Sequence, residues 1–392
     1  MRLRSGTISR NVWILSLVSL FTDMASEMLY PIMPVYLKSI GFSIVFIGIL
    51  EGVAEAVAGL SKGYFGHRSD TMGRRLPFVQ IGYGLSALSK PMMAAFAHPL
   101  WVFFARTTDR LGKGIRTGAR DALLSDEATP ATKGRVFGFH RSMDTLGAVI
   151  GPLLALLFLQ MHPGAYRTLF LIAFLPGALA IVCTWLVRER SKAAISSSEK
   201  PGFWDFIQYW RRSPAQYHQI VSAFLLFALF NSSDVFLLLK IKEAGCSDST
   251  VIGIYIFYNL VYALSAYPIG ILADRIGMKR VFTGGLLLFA AVYAGMAFAH
   301  TTYTFLGLFF LYGIYAASTE GVAKAWISNI GAKKDTATAI GTYTAFQSIG
   351  ALLASSLAGS IWYWKGSGAT FLLSAGATIV VAIYVTRFRN MA

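Results

Sequence analysis

The apolar residues of this chain fall into runs of about 20, separated by short polar punctuation. A run of that length crosses the roughly 30 Å hydrocarbon core of a bilayer as a helix. It must be a helix, because in lipid the backbone has to satisfy its own N–H and C=O groups. The composition agrees: the chain is 55% hydrophobic and only 14% charged, with a mean hydropathy of +0.56. A soluble chain carries about a quarter charged residues. The ten-residue alternation that marks an outer-membrane barrel is absent. We read twelve spans, at 11–35, 44–65, 76–96, 100–122, 135–159, 168–187, 216–239, 250–271, 281–299, 303–326, 337–361 and 369–387. The fold class is therefore all-α membrane.

The net charge of +16 does not point to nucleic acid, because the basic residues lie between apolar runs rather than on one folded face. They sort by side instead. With the N-terminus inside, only Lys38, Arg167, Lys240, Lys242 and Lys365 fall on the outer side, while Arg2, Arg4, Arg10, Lys62, Arg68, Arg74, Arg75, Lys133, Arg135, Arg387 and Arg389 lie on the inner. The positive-inside rule then predicts a multi-pass protein of the cell inner (cytoplasmic) membrane with both termini cytoplasmic. The basic start has no small-residue cleavage site after its first apolar run, so that run reads as a retained helix. Cys183 and Cys246 make no disulfide framework, and the six scattered His residues form no metal cluster. We expect no metal and no cofactor.

The polar stretch 188–215 reads as a cytoplasmic linker, with Trp204, Phe206 and Trp210 on an amphipathic segment at the membrane interface. It separates an N-terminal six-helix bundle, 1–187, from a C-terminal one, 216–392. The halves repeat. Gly66-x-x-x-Asp70-x-x-Gly73-Arg74-Arg75 follows the second span, and Gly270-x-x-x-Asp274-Arg275-x-Gly277-x-Lys279-Arg280 follows the eighth. Gly138-x8-Gly147 in span 5 recurs as Gly341-x8-Gly350 in span 11. In each loop, glycine allows a tight turn and Asp70 is placed to cap the next helix at its positive end.

Two copies of this loop at matching positions resemble the signature of the major facilitator superfamily, which lies between helices 2 and 3 with an echo between helices 8 and 9. The resemblance covers essentially the whole chain. It implies twelve helices in two pseudo-symmetric six-helix bundles, and a gating role for Gly66, Asp70, Gly73, Arg74, Asp274 and Arg275. Arg106 and Gly112-x-Gly114 are similar to the family's helix-4 motif, which implies proton coupling. Asp109-Arg110 departs from the usual Gln-Gly there, and Lys113 and Arg116 are extra charges. Gly138, Gly147, Gly151 and Pro152 in span 5 resemble the motif of drug and metabolite antiporters, which favours export. Small residues there let helices approach closely, and Pro152 bends the span.

Residues 109, 113, 116 and 120 share one helical face. Charges at this depth cost several kcal/mol unless paired or wet, so they face a bundle interior or an aqueous cavity. Gly112-Lys113-Gly114 is not a phosphate loop, since the spacing, the following Ser/Thr and a preceding strand are missing. Partners for these cations are available in Asp23, Glu27, Glu51, Glu55, Asp121, Asp144, Asp234 and Glu320, so mutual salt bridging competes with function for each of them. Spans 1, 4, 7 and 10 line the central cavity in the family. The first half holds most of the ionisable groups, so we place proton coupling on Asp23, Glu27, Asp109 and Arg106. Arg110, Lys113 and Arg116 are candidates to grip an anionic group of the substrate, and Asp234, Glu320 and Lys324 to shape its pocket in the second half.

The resulting expectation is a monomeric, proton-coupled secondary transporter that exports a small amphipathic molecule by alternating access. Uptake of a small organic anion by symport is the alternative. A membrane-embedded sensor or enzyme lacks support, because no catalytic dyad or sizeable soluble domain is visible. The bilayer and a small-molecule substrate are the expected partners.

Overall fold

The computed structural model describes residues 8–29, 32–33, 36–37, 40–42, 44–189 and 202–388. Arg2, Arg4, Lys38, Arg389 and linker residues 190–201 lie outside that range, as does the side chain of Glu51. Every regular element among the described residues is helical. Six stretches are long and apolar enough to cross a membrane: Lys133–Met161, Tyr166–Thr184, Ser249–Ile276, Met278–Phe298, Thr302–Ile330 and Lys333–Thr386.

The first half contains α1 (Arg10–Glu27), α2 (Ile44–Thr71), α3 (Leu76–Ala95), α4 (Pro99–Asp126), α5 (Lys133–Met161) and α6 (Tyr166–Thr184). Ser9 caps α1 by accepting the Val12 amide at 3.3 Å. Glycines draw α4 into its neighbours. A Cβ on Gly112 would stand 2.5 Å from the Gly82 carbonyl on α3, and one on Gly114 would stand 2.5 Å from Ser61 Cβ on α2. That approach buries Arg106, Asp109, Arg116, Arg120 and Asp121, so the charged face of α4 points inward as its spacing predicts.

The linker carries a short helix, α7 (Asp205–Arg212). Phe206 is buried against Gly63 of α2, while Phe203 and Trp204 remain exposed.

The second half contains α8 (Ala215–Ala228), α9 (Val235–Glu243), α10 (Asp248–Ile276), α11 (Met278–Phe298), α12 (Thr302–Ile330) and α13 (Thr336–Thr386). One sequence expectation is corrected here. Span 7 is not one helix, because Asn231-Ser232-Ser233-Asp234 lies in a non-helical break between α8 and α9. Four short polar residues in succession offer the backbone local side-chain partners in place of the helical ladder. Spans 11 and 12 are two helices, as expected: the stretch α13 is broken at Gly366, whose φ of 84° and ψ of 171° are not helical, between the predicted span ends at 361 and 369.

The chain forms two compact units. One comprises Met1–Thr129, Met143–Arg211 and Ala332–Ala345, and the other Pro130–Ser142, Arg212–Gly331 and Phe346–Ala392. Each unit thus takes in a short segment from the opposite half of the sequence, namely the first turns of α13 or of α5. Backbone contact explains both. A Cβ on Gly341 would lie 2.5 Å from the Lys62 carbonyl of α2, and one on Gly138 would lie 2.5 Å from the Ala266 carbonyl of α10.

Candidate functional site

Three places gather the residues singled out in the sequence. The first is the duplicated loop. Gly73 has a φ of 63° and Gly277 one of 98°, a left-handed conformation that explains glycine at both turns. Asp70 does not cap the following helix, however. Its Oδ2 accepts the Thr338 amide at 2.7 Å and the Thr338 hydroxyl at 2.9 Å, in the first turn of α13. Its Oδ1 accepts from Arg75 at 2.8 Å, and Arg75 also pairs with Asp126. The cap on α3 comes from Glu189, whose carboxylate accepts the amides of Arg75 at 2.6 Å and Leu76 at 2.8 Å.

The second copy repeats the arrangement. Asp274 accepts the Gly134 and Arg135 amides of α5 at 2.7 and 2.9 Å. Both carboxylates therefore sit on first-turn N–H groups of a helix distant in sequence, where the helix dipole favours a negative charge. Gly66 and Gly270 bring the backbones together: a side chain on either would strike Ala337 or Gly134. Arg74 and Arg275 stand exposed and take no part. The cation that matters in the first clamp is Arg75, which nothing in the sequence separates from the adjacent Arg74.

The second place is a narrow cleft in the first unit, lined by Asp23, Ser26, Glu27, Arg106, Asp109, Arg110, Lys113 and Arg116. Gly147 and Gly151 bring α5 against α1, the helix that carries Asp23, Ser26 and Glu27. A Cβ on Gly147 would lie 2.9 Å from the Met24 amide, and one on Gly151 would lie 2.6 Å from the Met24 carbonyl, so α5 packs directly on α1. Pro152 follows within the same helix.

Several of these charges are paired. Asp109 bonds to the buried Lys90 at 2.8 Å and lies 3.6 Å from Arg106, so it is held between two cations. Arg110 pairs with Glu55 at 3.1 Å. Arg116 donates to Ser86 at 2.5 Å and lies 4.5 Å above the Tyr83 ring. Deeper in the same unit, Arg120 binds Asp121 at 2.8 Å and approaches Asp144, which accepts from Ser19 at 2.6 Å.

The unpaired groups are the informative ones. Glu27 buries Oε2 with no hydrogen-bond partner among the described residues. Lys113 alone on the α4 face is exposed, with no carboxylate within ion-pair distance among the described residues.

The third place lies in the second unit. Asp234, at the break between α8 and α9, accepts the Tyr312 hydroxyl at 2.7 Å, and Asn231 donates to the Tyr315 hydroxyl at 3.1 Å. Tyr258 lies beside Tyr312, with ring centres 5.0 Å apart and the rings tilted. Glu320 is taken up by Arg141 of α5 at 2.5 Å, an ion pair that sequence spacing could not have indicated. Lys324 lies one turn further along α12, half-buried.

The sequence and the fold of this chain are matched by known proteins. The sequence profile described as Major Facilitator Superfamily matches residues 15–258 and 220–390. An uncharacterised MFS-type transporter of Methanocaldococcus jannaschii is 33% identical over 361 residues, covering 91% of this chain and 89% of that protein. Multidrug resistance protein MdtG of Klebsiella pneumoniae is 22% identical, covering 96% of this chain and 93% of its own. Among solved structures, the human organic anion transporter MFSD10 superposes with a TM-score of 0.82 at 16% identity, covering 96% of this chain and 99% of its own. The fucose:proton symporter FucP of E. coli superposes at 0.74 and 14%, covering 97% and 98%. The chain belongs to the major facilitator superfamily, and is a multi-pass membrane transporter rather than an enzyme.

Proposed function

We propose that this transporter is a proton-driven exporter of a small amphipathic organic molecule, working by alternating access as a monomer in the cell inner membrane, with both termini cytoplasmic and no cofactor. The observation that carries the reading is the first-unit cleft, where Lys113 and Glu27 keep charge or polar atoms unpaired. Unpaired charge is expensive at such a depth, which suits groups whose partner comes and goes during a cycle. A proton on Asp23 or Glu27 neutralises the acidic side of the cleft, and losing it restores a negative charge. In an exchanger, substrate and proton must compete for that charge, so they are not carried together. The multidrug resistance in the name of MdtG is in keeping with the outward direction. Asp70 and Asp274 then act as gates: each releases its helix N-terminus in one state and recaptures it in the other. Arg106 and Asp109 hold the cleft's charged wall in place.

A second reading rests on the four cations Arg106, Arg110, Lys113 and Arg116 in the same cleft. With Asp23 and Glu27 protonated, they would favour an organic anion, and proton and anion would enter together. MFSD10, described as an organic anion transporter, is in keeping with this reading.

Transport in proteoliposomes of known orientation, under an imposed pH gradient, separates the two. The substrate would first be chosen by a thermal-stabilisation screen on purified protein. Export predicts movement against the proton flux; movement of substrate inward with protons refutes it. Asp23→Asn combined with Glu27→Gln is expected to abolish gradient-driven accumulation while sparing substrate-for-substrate counterflow.

A further inference from the structure

The cleft of the first unit is charged on both sides, and some of its cations are satisfied while others are not. On the α4 side, Lys113 is exposed, and Arg116, 4% exposed, keeps its Nε–H without an acceptor among the described residues. The remaining cations have partners. Arg110 pairs with Glu55, and Arg106 and Lys90 flank Asp109, with Ser26 as a second acceptor for the Lys90 ammonium at 3.1 Å. On the α1 side stand Asp23 and Glu27, and Lys113 is the cation that acts most strongly on both. Ionised, these two carboxylates offset Lys113 across the cleft. Protonated, they leave it without a counter-charge.

The neighbouring helices do not make good that loss among the described residues. α6 packs on α1 and carries one charged residue, Arg167, which donates to the Ala94 and Ala95 carbonyls. Asp144 of α5 accepts from Ser19 and lies 3.9 Å from Arg120, which also holds Asp121. Size then limits what can enter. The free volume of the cleft is about 20 Å³, room for a species of about the size of a water molecule, whereas sites for drug-sized ligands measure about 300–1,000 Å³. As the helices stand, the counter-charge for Lys113 must be a small ion.

We infer that the cleft binds a small inorganic anion, of the class of chloride, between Lys113 and Arg116 when Asp23 and Glu27 carry protons. A monatomic anion asks only for positive charge and N–H donors, and the Lys113 ammonium and the Arg116 Nε–H supply both. Water alone would leave the charge on Lys113 uncompensated, and a cation is repelled by it. Losing the protons sets two negative charges beside the anion and drives it out. Proton and anion therefore favour one another's binding. Taken up together, they change the net charge of the apolar layer less than a proton alone, which lowers the cost of the step. The inference rests on the export reading only for the titration of Asp23 and Glu27, and adds a co-ion to it.

The test is chloride binding to the purified full chain at constant ionic strength, with sodium gluconate, an anion too large for the cleft, replaced stepwise by sodium chloride. Binding is read from the rise in the thermal unfolding midpoint. We expect saturable stabilisation by chloride at about pH 5, and binding at least about tenfold weaker at about pH 8. Lys113→Gln should weaken chloride at least about tenfold, and Asp23→Asn with Glu27→Gln should make its binding equally tight at both pH values. Where a variant does not fold, chloride added to the unmodified, unbuffered chain should draw protons from solution, the reciprocal of the same coupling. Equal stabilisation by gluconate overturns the inference, as do a chloride response unchanged in Lys113→Gln, binding that tightens as pH rises, and the absence of proton uptake. If the double variant loses gradient-driven accumulation but keeps a pH-dependent chloride response, the inference fails and the export reading stands. Inward transport of substrate with protons would do the reverse.

Discussion

Replacing Asp70 by Asn is the sharpest probe of the first clamp. The carboxylate accepts from the Thr338 amide, the Thr338 hydroxyl and Arg75, all within 2.9 Å, and its side chain is 1% exposed. A carboxamide of the same shape has one oxygen and one NH2. It can serve either Thr338 or Arg75, but it must point a donor at the other. A buried donor left without an acceptor costs about 1–3 kcal/mol, and bonds to charged groups stand at the upper end. We take about 2–3 kcal/mol for this site, since Arg75 keeps Asp126. At 1.36 kcal/mol per tenfold, that frees the first turn of α13 about 30- to 150-fold more often. Hydrogen–deuterium exchange of the 336–342 amides in purified full-length protein reads this directly. Asp274→Asn should give the mirror result, with faster exchange at 133–138 and no change at 336–342. Exchange at 336–342 within threefold of the unmodified chain would refute the clamp, as would a response of that segment to Asp274→Asn.

Two further perturbations test the charge assignments. Lys90 is 1% exposed and its ammonium is bound to Asp109, so Lys90→Met should lower stability by about 3–5 kcal/mol. Adding Asp109→Asn should recover at least half of that loss in thermal unfolding, and strictly additive effects in the cycle would mean the two do not form a buried pair. Glu189→Gln removes the charge from the cap on α3 and should cost about 1 kcal/mol, seen as faster amide exchange at 75–79. Unchanged exchange there would show that water serves those amides equally well.

Much of the fold was legible because it depends on local properties. Hydrophobic runs of membrane length are helices whatever they pack against, and the glycines at 73 and 277 mark turns because only glycine takes a positive φ without strain. The inward face of α4 followed from a spacing of 3.6 residues. Where the local signal failed, it failed for a physical reason. Span 7 is apolar on average, so its hydropathy hid four polar residues that unwind the helix.

The sequence alone determined that this chain crosses a membrane many times, that its halves are related, and which residues carry charge into the apolar layer. Only the tertiary structure decided what each charge meets. Asp70 reaches Thr338, 268 residues away, and leaves the adjacent helix to Glu189. Asp109 is locked by Lys90 and Arg106, whereas Lys113, on the same helical face, is left open to the cleft. Asp234 meets tyrosines and, among the described residues, no cation within ion-pair distance. Hydropathy and periodicity are sums over neighbouring residues, but an ion pair depends on how closely two distant backbones approach. In this chain that distance is set by glycines packed against carbonyls.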